Sequence, residues 1–461
     1  MSYSSSGFTR RRMLEFLLFA QTCLLLCACQ IASAQKSEPM RLTLPQAIDL
    51  ALSQNRDLKL AQLAVTDKEH KKEIARSAYF PEIKNESTVL HVTELAGVAI
   101  PAGAFGVNQV TGPIPSQSLF IGQGGLTGYT SGTGLAQPLT QMFKIRQSNR
   151  AAAADINAAK IDVNRAENNI ALKVRQLYYA ILIAQLKQQA ATEEVAAGEV
   201  KTQESTDAVE QGRALEVVVL ESRASLLDAK QSALTQKLQI HDLTVSLDDL
   251  MGLPLTTELQ LDADTTVLSA AVPSRENCVR IARESSPEVR AAEQAVEKAK
   301  AGLAAAKDAY IPDITAVARY SYQSGIPFLV HNFGTFGVTF SYDLFDGGKR
   351  EAEIRDARTV LSEAELNLEK VEDEVSVQVE KAYDKVEQLQ DLVGVANEAL
   401  KTRTEAARLV DRQFEQTAAL ASARAEAHAK EVSAKASFLE ANLGLSLAQS
   451  DLIRTIGQLP R

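Results

Sequence analysis

The chain has 461 residues, 5% aromatics, no Trp, 23% charged residues and a net charge of -9. Phosphate backbones are bound through clustered Lys and Arg, so this acidic balance excludes nucleic acid as the main partner. The longest stretches are dominated by Ala, Glu, Gln, Lys, Leu and Val, which favours long helices over a compact mixed core.

The N-terminus reads as an export signal. Arg10, Arg11 and Arg12 precede an apolar run from Phe16 to Ala28, which is too short to span a membrane. Ala32-Ser33-Ala34 before Gln35 is a small-residue cleavage site, so 1–34 reads as a signal peptide. Arg10-Arg11 also admits the twin-arginine route, the weaker of the two. Leu26-Cys27-Ala28-Cys29 resembles a lipoprotein box with Cys29 as the lipidated residue. Cys27 is an unusual occupant of that box, and cleavage after Ala34 is favoured. Beyond the signal only Cys278 remains, and a single thiol makes no internal disulfide.

The mature chain is two copies of one plan. A helix leads into Ala78-Tyr79-Phe80-Pro81-Glu82-Ile83, which returns as Ala309-Tyr310-Ile311-Pro312-Asp313-Ile314. Pro81 and Pro312 end the helices before them. Upstream, Leu58, Ala61, Ala64 and Val65 match Val289, Ala292, Ala295 and Val296. Downstream, Leu139, Lys144, Tyr178 and Gly252 match Leu344, Lys349, Tyr383 and Gly457 at a shorter spacing. The first copy therefore carries extra length between Ile83 and Leu139. That stretch, around 97–125, is rich in Gly, Pro and Ser and reads as a loop.

Each copy runs helix, Pro break, alternating segment, loop, alternating segment, turn, and two long helices. The first copy takes 35–255, with a β-hairpin over about 82–138 and a helical hairpin over about 144–250. The second takes 256–461, with a β-hairpin over about 313–345 and a helical hairpin over about 348–457. In the second copy Ile314, Ala316, Ala318, Tyr320 and Tyr322 share one strand face. Phe336, Val338, Phe340, Tyr342 and Leu344 share another, opposite Gly337, Thr339, Ser341 and Asp343. In the first copy Ile83, Val89 and Leu135 sit among polar residues. The first long helix of the second copy has a seam stepping by three and four, from Leu361, Ala364 and Leu368 through Val375, Val379 and Val386 to Leu400. Only Gln188 breaks the matching seam in the first copy. A helix over 348–412 would be on the order of 100 Å long.

Four strands with apolar outer faces cannot close a barrel, since outer-membrane barrels need about eight or more. Open strand edges cannot face lipid, because every unpaired backbone group costs several kcal/mol there. The strands must be shared between chains. Three chains give twelve strands; the sequence alone also allows two or four.

The duplicated A-Y-x-P-x-[IL] junctions, the run Asp343-Leu344-Phe345-Asp346-Gly347-Gly348-Lys349-Arg350 and the tandem hairpins ending in Gly252 and Gly457 resemble the TolC-like outer-membrane efflux protein family. The resemblance covers about 40–460. It implies an α+β membrane protein: a homotrimer whose twelve-stranded β-barrel, four strands per chain, continues as a long α-helical barrel across the periplasm. It implies an outer-membrane channel of a tripartite efflux or type I secretion system, docking with a periplasmic adaptor and an inner-membrane pump. The alternative is a periplasmic coiled-coil structural protein with no pore, lipid-anchored through Cys29. A pure coiled coil has no use for the alternation at 336–344, which favours the channel.

The hairpin tips are the expected adaptor contacts: Gln211, Gly212, Arg213 and Leu215 in the first, Gln416, Thr417 and Leu420 in the second. The family usually has an aromatic and, three residues on, a Gly. Here Val209 replaces the aromatic of the first tip and Thr417 the Gly of the second. Some members narrow the tunnel end with acidic residues. The matching positions hold Val218 and Glu221 in the first copy, Ala423 and Glu426 in the second, so Glu221 and Glu426 are the gate candidates. The bland alternatives are ordinary turn residues and solvated carboxylates. His70, His91, His241, His331 and His428 are scattered without metal-ligand spacing. Gly122-Gln123-Gly124-Gly125 lacks the Lys-Ser/Thr of a phosphate loop. No cofactor, metal or enzymatic site is expected.

Overall fold

The computed structural model describes residues 40–93, 97–122, 127–255, 257–262, 273–325 and 330–457. The expected signal peptide with Cys29 lies outside them, as do Gln123, Gly124 and Gly125.

Strand β1 (Met40–Leu42), helix α1 (Leu44–Gln54) and helix α2 (Arg56–Ser77) open the described chain. Strand β2 (Glu82–His91) leads into four short strands, β3 (Gly97–Ile100), β4 (Val107–Asn108), β5 (Gly112–Pro113) and β6 (Leu119–Gly122). Strand β7 (Thr127–Pro138) returns beside β2, and helices α3 (Met142–Glu210) and α4 (Glu216–Met251) form a long hairpin. After strand β8 (Leu259–Leu261), the second half runs α5 (Arg275–Ser285), α6 (Pro287–Lys307), β9 (Asp313–Ser324), β10 (Asn332–Ser341), α7 (Lys349–Glu415) and α8 (Ala421–Thr455).

Helix α3 has 69 residues and α7 has 67, so each extends about 100 Å. Helix α3 packs on α2, α4, α6 and α8 and is shielded on most sides. Helix α7 touches only α5, α6 and α8 closely, and its shielded residues follow the expected seam. Val375, Val379, Ala382 and Val386 are buried, while Leu361, Ala364, Leu368 and Leu400 at its ends are half-buried. Both α4 and α7 leave a long face open in the single chain.

The helical core is duplicated residue by residue. In one cluster Ala47, Ala51, Leu58, Val174, Leu247 and Met251 pack together. In the other Cys278, Ala282, Val289, Val379, Leu452 and Ile456 occupy the corresponding places. Tyr178 donates to the carbonyls of Leu42 and Asp262 at 3.0 and 2.7 Å, which ties the parallel pair β1/β8 to α3.

The structure departs from the sequence reading in three places. The last strand stops at Ser341, so Tyr342 and Leu344 lie beyond it in the turn towards Gly347 and Gly348. The helix ahead of each Pro break is split, because Asn55 and Ser286 stop one helix and cap the next. Asn55 accepts from the amides of Asp57 and Leu58, and Ser286 accepts from that of Val289. The stretch expected to be loop is folded: β3 pairs with β6 and β4 with β5, both antiparallel. Alternating Val98, Ile100, Leu119 and Ile121 supply the strands, and Gly103, Gly106 and Gly112 take the positive φ their turns need.

Candidate functional site

Strands β10, β9, β7 and β2, in that order, form one antiparallel sheet. Directly opposed residues share a face. One row reads Phe336, Ala318, Leu135, Ile83, and the next Val338, Ala316, Gln137. Further rows bring Gly334, Tyr320, Thr133 and Asn85 together, then Asn332, Tyr322, Ser131 and Ser87. This face carries no Asp, Glu, Lys or Arg among the described residues of the four strands. Phe336 is 91% exposed on it. The opposite face holds Glu82, Lys84, Glu86, Asp313 and Arg319. There Lys84 and Arg319 reach Glu86 at 3.3 and 3.6 Å. A Cβ at Gly132 would meet the Arg319 guanidinium at 2.5 Å, so glycine leaves room for that side chain.

The first copy's strands looked mixed because their polar residues pair with one another across the sheet. Asn85 donates to Thr133 Oγ1 at 2.9 Å, and the hydroxyls of Ser87 and Ser131 meet at 2.9 Å. Tyr129 and Tyr322 lie 5.8 Å apart near the upper end of the same face. At the lower end, Arg350 stacks on Tyr342 at 4.6 Å. The uncharged face thus runs between aromatic side chains at its two ends.

The strand-to-helix junction is built by Asp346. Its carboxylate accepts from the amides of Gly348 and Arg350 at 3.0 and 3.2 Å and pairs with the Arg350 guanidinium at 3.2 Å. Gly347 and Gly348, at φ 67° and 86°, make the break. At the other junction Thr140 Oγ1 donates to the Pro312 carbonyl and accepts from the Ile314 amide. The two copies are thereby stitched at the level where sheet gives way to helix.

The tips lie about 100 Å down the helices. Gly212 takes φ 68° at the first, with the Arg213 amide closing on the Ala208 carbonyl. Thr417 takes φ 57° at the second, with the Ala418 amide closing on Gln413. Thr417 is the sole non-glycine residue at positive φ among the described residues. A β-branched residue there costs about 1–2 kcal/mol. Thr417→Gly is therefore expected to stabilise the second tip by about 1 kcal/mol, read as increased amide-exchange protection across 412–422. Unchanged protection would refute the strain. Leu215 and Leu420 cap the returning helices and are 75% and 67% exposed.

The tips are held side by side. Glu204 of α3 accepts from the Ser422 amide of α8 at 3.0 Å. Asp411 pairs with Arg424 and His428 at 2.8 and 3.0 Å, closing the second hairpin. Those partners keep the Asp411 carboxyl below its ordinary range, the Arg424 hydrogen bond first. Above the tips, α3, α4 and α8 enclose a groove of about 400 Å³ lined by Glu194, Lys201, Ser222, Asp228, Glu426 and Lys430 among others. Glu426 bonds Lys430 at 2.6 Å, which lowers its pKa. Glu221 is exposed on α4 and does not line the groove. The two gate candidates are thus not brought together within one chain.

Sequence reasoning missed Arg275. It grips Glu380, Asp384 and Glu387 of α7 at 2.7–2.9 Å and stacks on Tyr383, pinning the start of α5. The acidic residues sit three and four apart on one face of α7, a signal visible in sequence only once its partner is known.

No described helix is long and apolar enough to cross a membrane, and no described His, Cys, Asp and Glu cluster could hold a metal. A family model described as Outer membrane efflux protein matches residues 47–253 and 278–458, well over half of the chain. No curated protein sequence matches it. Among solved structures, the Campylobacter jejuni CmeC outer membrane channel superposes with a TM-score of 0.73 at 16% identity, over 90% of this chain and 85% of that one. The Neisseria gonorrhoeae MtrE outer membrane channel, in its open state, gives 0.70 at 19% identity, over 90% and 89%. A membrane protein from Pseudomonas aeruginosa gives 0.72 at 17%, over 90% of both chains. At such identities the superpositions establish the TolC-like fold.

Proposed function

The chain belongs to the outer membrane efflux protein family, and from that membership we propose that three copies form one continuous duct. The protein is an outer-membrane channel of an efflux system, seated in the outer membrane and extending into the periplasm. The observation that carries the three-chain reading is the sheet, which has one uncharged face and two unpaired edges, β2 and β10.

The alternation of directions along β10, β9, β7 and β2 leaves the two edges antiparallel to each other. Copies can therefore join edge to edge with the pairing that outer-membrane barrels use. Two copies would make eight strands, whose interior is filled by side chains. That would bury Lys84, Glu86 and Arg319 without a duct. Three copies make twelve and leave these charges facing water. The open faces of α4 and α7 would meet in the same assembly and close the periplasmic tube.

The groove among α3, α4 and α8 and the exposed tip residues Gln211, Gly212, Arg213, Leu215, Gln416, Thr417 and Leu420 suit a periplasmic adaptor that links the duct to an inner-membrane pump. The groove's mixed charges and serines fit the polar flank of a helical hairpin. Glu426 and Glu221 are the acidic gate positions, with Lys430 neutralising Glu426. Lys430→Gln is expected to free the carboxylate and raise cation selectivity, while Glu426→Gln lowers it. Reversal potentials in a salt gradient measure both, and identical potentials would remove Glu426 from the gate.

The deciding experiment is single-channel conductance of the purified protein in a planar bilayer, with its mass in detergent. A trimer with discrete openings is expected. A monomer without conductance would overturn the shared barrel.

A further inference from the structure

The extra length of the first copy stands at the end of the sheet away from the helices. Between Glu94 and Lys144 the chain has no Asp, Glu, Lys, Arg or His, which leaves it uncharged at every ordinary pH. Residues 97–122 form an arm of two nested strand pairs. The amides of Gly103, Phe105 and Ile114 bond the carbonyls of Pro115, Ile114 and Gly106 at 2.8–2.9 Å, so its outer lobe is ordered. Yet Phe105, Val107 and Val110 are 70%, 75% and 91% exposed on that lobe.

A two-stranded hairpin with an open apolar face is marginal in water and needs a covering surface. Its own sheet does not provide one, since the four short strands pack closely only with each other. Lipid is a poor cover. Segments that lie on anionic membranes use Lys and Arg on their polar side, and this arm has none. Open β-edges are also costly in lipid. Other copies of the same arm fit better, because an uncharged surface meets itself without repulsion.

Geometry brings those copies within reach. At a strand spacing of about 4.8 Å and a tilt of about 40°, twelve strands enclose a radius of about 12 Å. The four rungs of β3/β6 alone carry the arm about 13 Å, and the lobe lies beyond them. The arm springs from β2 and β7, and β2 is the edge where one chain would meet the next.

We propose that the 97–122 arms of three copies meet over the outer mouth of the barrel as an apolar lid around Phe105, Val107 and Val110. The lid rests on the three-chain reading above. An uncharged apolar constriction closes by excluding water and opens when a solute or a charge wets it. The duct would then have an outer closure independent of its periplasmic tips.

Val110 is exposed in the single chain, so replacing it does not threaten the fold. Val110→Cys is expected to give disulfide-linked dimers on oxidation of the purified oligomer, because Cys278 is buried. Val110→Asp is expected to shorten the closed intervals of single channels several-fold. If the wild-type protein is a conducting trimer, but Val110→Cys does not cross-link and Val110→Asp gates like wild type, the lid is overturned and the barrel stands. If no trimer forms, both fall.

Discussion

Val338→Arg is expected to abolish assembly, and Thr339→Arg, one position along, to leave it intact. The two residues are neighbours on β10 and point to opposite faces. Val338 shares its row with Ala316 and Gln137 on the uncharged face. Thr339 shares its row with Thr315 and Pro138 on the face that already holds Arg319 and Lys84. A cation facing lipid near the midplane costs about 2–4 kcal/mol, so three copies lose about 6–12 kcal/mol per assembly. A cation facing a watery lumen costs little. The assay is the trimer's mass in detergent together with its conductance. Equal tolerance of both substitutions would mean that the uncharged face does not meet lipid.

That pair of substitutions is legible in sequence because the chain alternates without interruption from Phe336 to Leu344. β2 and β7 were harder to read for a physical reason. Their uncharged faces satisfy Asn85, Ser87, Ser131 and Thr133 by cross-strand hydrogen bonds, and such pairs are invisible until the register is known. The long helices were legible because a seam sustained from Leu361 to Leu400 leaves no other period. The 97–122 arm was not, because its strands are two to four residues long and Gly and Pro dominate the turns between them. The tips are legible from the family resemblance, in which Thr417 stands where a Gly is usual. Its positive φ is a fact of the backbone. The Arg275 clamp joins residues more than a hundred positions apart, and no local pattern announces it.

The duplicated core also exposes a difference between its halves. Leu247 and Met251 of α4 are matched by Leu452 and Ile456 of α8, but Asp248 is matched by Ile453. Asp248 is fully buried, and neither carboxylate oxygen has a hydrogen-bond partner. Burial pushes its carboxyl up to about 6. The C-terminal end of α4, rich in free carbonyls, acts in the same direction. The folded chain therefore holds this proton more tightly than the unfolded chain does between about pH 4 and 6. Stability gained from the proton is full below that window and is lost as pH rises through about 6. Above it, the fold carries a buried carboxylate. Asp248→Asn keeps the shape and removes that charge, so it is expected to stabilise the protein at pH 7.5 on the order of 1–2 kcal/mol, discounted for residual solvation. The gain should shrink towards zero by pH 4. Thermal loss of helix, followed by circular dichroism across that range, measures both the gain and its slope. A variant no more stable than wild type at pH 7.5 would refute the cost of the buried, unpartnered Asp248 carboxylate.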